Sequence, residues 1–71
     1  MYKNLEIIRK EKKLTINDMA KVISRSPANY FKKEKGKVSI TVKEAILIAK
    51  FLNKDIEFLF QEWLLVIMQC K

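Results

Sequence analysis

The chain has 71 residues, 49% of them hydrophobic, which is enough for one small domain with a single core of modest stability. A lone cysteine, Cys70, and the lack of any histidine exclude an internal disulfide, a zinc finger and a Cys/His catalytic centre; with no phosphate-cradling glycine loop and no paired carboxylates at helical spacing, neither an enzyme nor a cofactor is expected. The formal net charge of +7 points instead to a polyanionic partner.

Met1 to Asn4 reads as a short lead, with Asn4 as the cap of a first helix from Leu5 to about Lys12. Leu5 and Ile8 share its inner side, Arg9, Lys10, Lys12 and Lys13 face mostly outward, and Leu14 closes the helix against the core. Thr15 followed by Asp18 is a capping pattern for a second helix opening at Ile16, with Met19, Ala20 and Ile23 on one face. Ser24, Arg25 and Ser26 interrupt the apolar pattern. Ser26-Pro27 then starts a third helix through Ala28, Asn29 and Tyr30, so that residues 15–34 read as two short helices joined by a turn, with the small Ala20 at their crossing. Tyr30 falls on the buried face and Phe31 points outward.

The third helix ends near Glu34, because the only glycine, Gly36, marks a left-handed turn. After a brief link through Val38, Ser39 and Ile40, Thr41 and Glu44 form a second capping box. They open a fourth helix in which Val42, Ala45, Ile46, Ile48, Ala49 and Leu52 are expected to be buried on more than one face, with Leu47 and Phe51 as a further apolar stripe. Asn53 ends that helix in the left-handed conformation, and Asp55 caps a fifth starting at Ile56, with Leu59 and Phe60 inward. Residues 1–60 thus form the domain and 61–71 a tail. Trp63 to Met68 is apolar all round a helix and on both faces of a strand, so periodicity does not type it; the missing turn signal favours continuation as helix. This run is far short of the ~20 residues that span a bilayer, and no apolar run precedes the first charges, so neither a membrane span nor a secretory signal is expected.

Charge is uneven along the chain. Residues 1–43 hold twelve Lys/Arg and four Asp/Glu, whereas residues 44–71 hold three and four, which places the positive field on the half containing the two-helix unit.

In their ungapped order, Leu5 with Ile8-Arg9, Leu14-Thr15, Met19-Ala20, Tyr30 with Glu34-Lys35-Gly36, Glu44-Ala45 through Ile48-Ala49, and Ile56 to Phe60 carry a resemblance. The stretch from about Asn4 to Phe60 resembles the lambda-repressor-like (Cro-like, Xre) helix-turn-helix domains of phage and bacterial regulators. The resemblance implies an all-α, five-helix fold in which the third helix enters the major groove, lysines and N–H groups hold phosphates, and two protomers read two half-sites. By position, the groove-facing residues are Ser26, Pro27, Ala28, Asn29, Phe31 and Lys32. Lys32, Lys33, Lys35 and Lys37 surround Phe31, with Lys35 and Lys37 as phosphate ligands. Asn29 and Lys32 have the hydrogen-bonding groups to distinguish adenine or guanine edges, and Ala28 and Phe31 suit thymine methyls. Arg9 and Glu34 are the implied partners of a buried or half-buried ion pair fixing the angle of the third helix.

The chain departs from the family's habit at Ile16, Pro27 and Ala28, where polar DNA-contacting residues are common. It departs again at Ser24 for a frequent glycine, Arg25 for an aliphatic turn residue, and Lys33 at a position often apolar. The expected function is a sequence-specific, DNA-binding transcriptional regulator, a cytoplasmic, nucleoid-associated repressor of phage or bacterial origin with double-stranded DNA as partner and no membrane or small-molecule ligand. The alternative is a protein-interaction module on the same fold that docks through Ile16, Phe31 and the tail. Leu47 and Phe51 with Trp63, Leu64, Leu65, Val66, Ile67 and Met68 together exceed the apolar patch a soluble monomer normally shows, so a homodimer interface is expected through Leu47, Phe51, Trp63, Leu64, Val66 and Ile67, unless the tail folds back over its own chain.

Overall fold

Hydroxyl side chains open three of the five helices of the computed structural model, which describes residues 2–62. The helices are α1 (Lys3–Glu11), α2 (Ile16–Val22), α3 (Pro27–Glu34), α4 (Val42–Leu52) and the single turn α5 (Ile56–Leu59), with no strand among the described residues. Trp63, Leu64, Val66 and Ile67, and with them the choice between helix and strand in the tail, lie outside the described residues.

At α2 the Thr15 Oγ1 accepts the Asp18 N–H (3.1 Å) and Asp18 Oδ2 accepts the Thr15 N–H (2.9 Å). Thr41 and Glu44 repeat this box at α4, and Ser26 Oγ accepts the Asn29 N–H (3.2 Å) ahead of Pro27 at α3. Each such cap is worth about 1 kcal/mol and fixes where its helix starts.

The ends are as regular as the starts. Residues Lys13, Ser24, Gly36 and Asn53, with φ of 59°, 56°, 79° and 56°, each follow one helix in the left-handed region. Behind each, two backbone bonds reach back into the last turn: Lys13 N–H to Lys10 O and Leu14 N–H to Arg9 O, Ser24 N–H to Lys21 O and Arg25 N–H to Ala20 O, Gly36 N–H to Lys33 O and Lys37 N–H to Lys32 O, Asn53 N–H to Lys50 O and Lys54 N–H to Ala49 O. All four are Schellman closures, which satisfy the orphan carbonyls and send the chain back over the core.

The core gathers Leu5 and Ile8 from α1, Met19 and Ala20 from α2, Tyr30 from α3, Ala45, Ile48 and Leu52 from α4, and Leu59 and Phe60 at the end of α5. Full burial of each large side chain contributes roughly 1.5–3 kcal/mol. The principal helix packing is α2 on α3, with α1 and α4 on α5 and α2 on α4.

Three expectations are corrected here. Asn4 caps nothing: α1 starts earlier, at Lys3, and the Asn4 side-chain amide donates to Phe58 O (2.8 Å), tying α1 to α5. The entry to α1 is instead anchored by Tyr2, whose N–H donates to Glu34 O (3.1 Å) and whose ring meets Phe60 edge-on at 5.2 Å. On α4, Val42 and Ile46 stand 59% and 41% exposed, because Ala45, Ile48, Ala49 and Leu52 alone form the stripe facing the core. Asp55 occupies the cap position of α5 but makes no side-chain capping bond.

Candidate nucleic-acid interface

Helix α3 has an inner and an outer face, and their chemistry runs against the usual pattern. Pro27, Ala28, Phe31 and Lys32, at i, i+1, i+4 and i+5, are exposed, while Tyr30, Lys33 and Glu34 are buried. Two ionic networks make that burial possible.

The first joins α3 to α1. Arg9 grips Glu34 with two bonds, Nε to Oε2 at 2.8 Å and Nη2 to Oε1 at 3.2 Å, and its Nη1 donates to Leu14 O at 3.0 Å. The Tyr30 hydroxyl donates to Glu34 Oε2 (2.8 Å). Burial, reinforced by the Glu34 carboxylate, pushes the Tyr30 phenol far above its ordinary pKa, so it remains a donor. Arg9, which helical position placed mostly outward and the resemblance placed in a pair with Glu34, is buried, since its guanidinium turns in to a carboxylate that is only 1% exposed.

The second network joins α3 to the turn and to the start of α4. Lys33 Nζ donates to Glu44 Oε1 (2.9 Å) and Ser39 O (2.8 Å), and Arg25 Nε donates to Glu44 Oε2 (3.1 Å). Glu44 Oε1 also accepts the Thr41 N–H (3.0 Å) as part of the capping box. Burial pushes the Glu44 carboxyl up, but the Thr41 N–H, Lys33 and Arg25 together more than reverse this and hold it at about 2. Lys33 was expected among the lysines around Phe31. It is only 5% exposed and faces the interior, so it is not part of the basic surface.

Sequence reasoning missed Glu44 as the centre of this network. The available signal was the coincidence of two cations, Arg25 and Lys33, at positions the family usually fills with apolar residues.

Other candidates are placed as follows. Ser26 is exposed, with its Oγ already accepting the Asn29 N–H. Asn29 is half-buried and its Oδ1 is buried without a hydrogen-bond partner; either orientation of the amide leaves one polar end inward, so presenting both ends to an adenine edge requires the side chain to turn. Lys35 is half-buried, 3.3 Å from Glu6 Oε2 and 5.5 Å from the centre of the Phe31 ring. Hydrogen bonds from Lys10 and Lys35 hold the Glu6 carboxyl below its usual pKa. Lys37 is exposed. Ile16 is half-buried against the core, which corrects its place in an exposed docking surface. Leu47 and Phe51 are exposed on α4.

Within the segment that holds α3 the exposed charge is one-signed, and a carboxylate from outside it, Glu6, lies against Lys35. From residue 19 to residue 54 the only carboxylates are Glu34 and Glu44, both buried and bound, whereas Lys21, Arg25, Lys32, Lys37 and Lys43 are exposed. A groove of about 380 Å³ between the end of α4 and the start of α5, lined among others by Ile46, Lys50, Asn53 and Ile56, shares no residue with α3. Among the described residues no group of His, Cys, Asp and Glu is arranged to hold a metal ion, and no helix is long and apolar enough to cross a membrane.

No curated protein and no solved structure matches the chain. The helix-turn-helix family model, however, matches residues 5–59, from the first core leucine to the end of α5, with α2, the turn and α3 at its centre. The chain belongs to the helix-turn-helix family and is a DNA-binding domain of the kind found in transcription regulators.

Proposed function

We propose that this protein is a sequence-specific transcriptional repressor of phage or bacterial origin that inserts α3 into the major groove as a homodimer. The observation that carries the reading is the uncompensated positive charge around α3: the two carboxylates of residues 19–54 are both consumed inside the fold, and exposed cations flank the exposed face of the helix. Lys32 and Asn29 are the candidate base readers, Lys37 a phosphate ligand, and Lys35 a weaker one because it is shared with Glu6. The apolar surface of Leu47 and Phe51, together with the tail residues Trp63, Leu64, Val66 and Ile67, supports pairing of two copies, which would set two α3 helices on grooves ~34–36 Å apart.

Selection of duplexes from random sequence by the full chain tests this. A recovered palindrome, bound with a log–log salt slope that falls by about one in Lys37→Ala, is the expected result. Sedimentation of the full chain at high micromolar concentration is expected to give a dimer. Binding that ignores sequence, or a chain that stays monomeric, defeats the corresponding part of the proposal.

A further inference from the structure

Resting on that DNA-binding reading, we infer that α3 recognises its target chiefly through the C5-methyl groups of thymine, with Phe31 as the specificity-determining residue. The inference follows from what the outer face of α3 retains for reading. Pro27, Ala28 and Phe31 are exposed there, and none of their side chains donates or accepts a hydrogen bond. Of the polar neighbours, Lys33 is spent on Glu44 and Ser39, Ser26 Oγ on the Asn29 N–H, and Asn29 has its Oδ1 turned inward. Within α3, Lys32 alone among the polar side chains is exposed with no partner built into the fold among the described residues.

Among unmodified base pairs, the major groove presents one apolar group, the thymine methyl. An outer face this poor in hydrogen-bonding groups therefore matches thymine-rich steps, with Lys32 available for a neighbouring guanine. Phe31 is also held in place for the task. The Lys35 ammonium lies 5.5 Å from the ring centre and is itself fixed by Glu6 at 3.3 Å, while Phe31 as a residue stays 45% exposed. A cation so placed limits ring motion and adds positive charge beside an apolar contact, a combination suited to a methyl group set among phosphates.

Uracil in place of thymine deletes the methyl and leaves every hydrogen-bonding group of the base pair unchanged. The test takes the duplex selected by the full chain, replaces thymines within the selected site by deoxyuridine, and measures affinity at fixed salt. Each methyl buried against Phe31 or Ala28 is expected to account for about fourfold in Kd, so two or more give a loss of about tenfold or greater. In Phe31→Ala, whose side chain is outside the core, the uracil penalty shrinks while the salt slope stays that of the parent. Uracil substituted only in flanking sequence has no effect. A selected site bound within twofold after full uracil replacement overturns the methyl inference and leaves DNA binding standing. A chain that selects no duplex sequence overturns the DNA-binding reading and this inference with it.

Discussion

The two ionic seams that hold α3 differ in how they are closed. Toward α1, one guanidinium meets one carboxylate in a two-bond grip, a phenol supplies a further donor to the carboxylate, and the side chains of Arg9 and Glu34 are 10% and 1% exposed. Toward α4, one carboxylate stands between two cations, of which Lys33 is sealed and Arg25 is 55% exposed in the turn. The first seam is a closed neutral pair; the second carries one excess positive charge and opens to solvent next to the start of α3. A sealed pair resists rearrangement because breaking it strands a charge in low dielectric, whereas the open arm of the triad exchanges its partner for water at little cost. The last turn of α3 is therefore held on two sides, by Glu34 toward α1 and by Lys33 toward α4, and the turn ahead of α3 joins the second seam through Arg25.

The strongest way to break this contrast is Glu34→Gln. Arg9 would keep a buried guanidinium without a counter-charge, and the expected loss is about 3–5 kcal/mol, which for a domain of this size lowers Tm by more than ~12 °C. Thermal unfolding followed by circular dichroism measures it. A variant that melts with the parent would show that the seam contributes no net stability.

Glu44→Gln also leaves a buried cation, Lys33, without its counter-charge, but Ser39 O still accepts from that ammonium and Arg25 is already in water, so the expected cost is less, about 2–3 kcal/mol. Its sharper signature is pH dependence. The Glu44 carboxyl lies at about 2 in the folded chain against an ordinary 4.5, so its contribution is fully present above pH 4.5 and is lost as pH falls through about 2. The shift corresponds to about 3 kcal/mol. Urea midpoints of parent and variant, measured from pH 6 downward, should therefore converge in acid, and parallel curves would show that Glu44 does not titrate as bound. Arg25→Ala serves as the contrasting arm, with a change of no more than about 1 kcal/mol at neutral pH.

The same contrast explains what the amino-acid order disclosed. Helix starts were legible because Thr15-Asp18, Ser26-Pro27 and Thr41-Glu44 carry their caps in local sequence. Two helix ends were legible as well, since Gly36 and Asn53 are residues that favour the left-handed region. Lys13 and Ser24 close α1 and α2 by the same geometry without announcing it. At the candidate site, Tyr30 as core and Phe31 as exposed followed from helical spacing, and the Arg9–Glu34 partnership came from resemblance. Lys33 was misplaced because a lysine is by default a surface residue; only knowing that Glu44 reaches it across the α3–α4 link reverses that assignment. Asn4 was misjudged for a related reason, as a long-range bond to α5 determines where its side chain goes, and Val42 because a helix apolar on several sides does not disclose which stripe the core takes.

The smallest expected effect concerns the turn that the open seam borders. Ser24 sits at φ 56° between α2 and Arg25, at a position where helix-turn-helix domains often carry glycine. A Cβ in this region costs roughly 1–2 kcal/mol, and glycine would remove that cost while giving back about 0.5–1 kcal/mol through the greater freedom of the unfolded chain. Ser24→Gly should therefore stabilise the protein by about 0.5–1 kcal/mol, a rise of a few degrees in Tm that thermal unfolding resolves. The serine side chain makes no hydrogen bond among those described, so nothing offsets the gain. The backbone bonds of the closure, Ser24 N–H to Lys21 O and Arg25 N–H to Ala20 O, are available to glycine unchanged. Ser24→Ala supplies the control, since it keeps the Cβ and should leave Tm at or below that of the parent. If glycine lowered Tm while alanine did not, the stability of the turn would depend on the serine hydroxyl rather than on relief at φ 56°. The turn ahead of α3 would then be held by that hydroxyl as well as by the bond from Arg25 to Glu44.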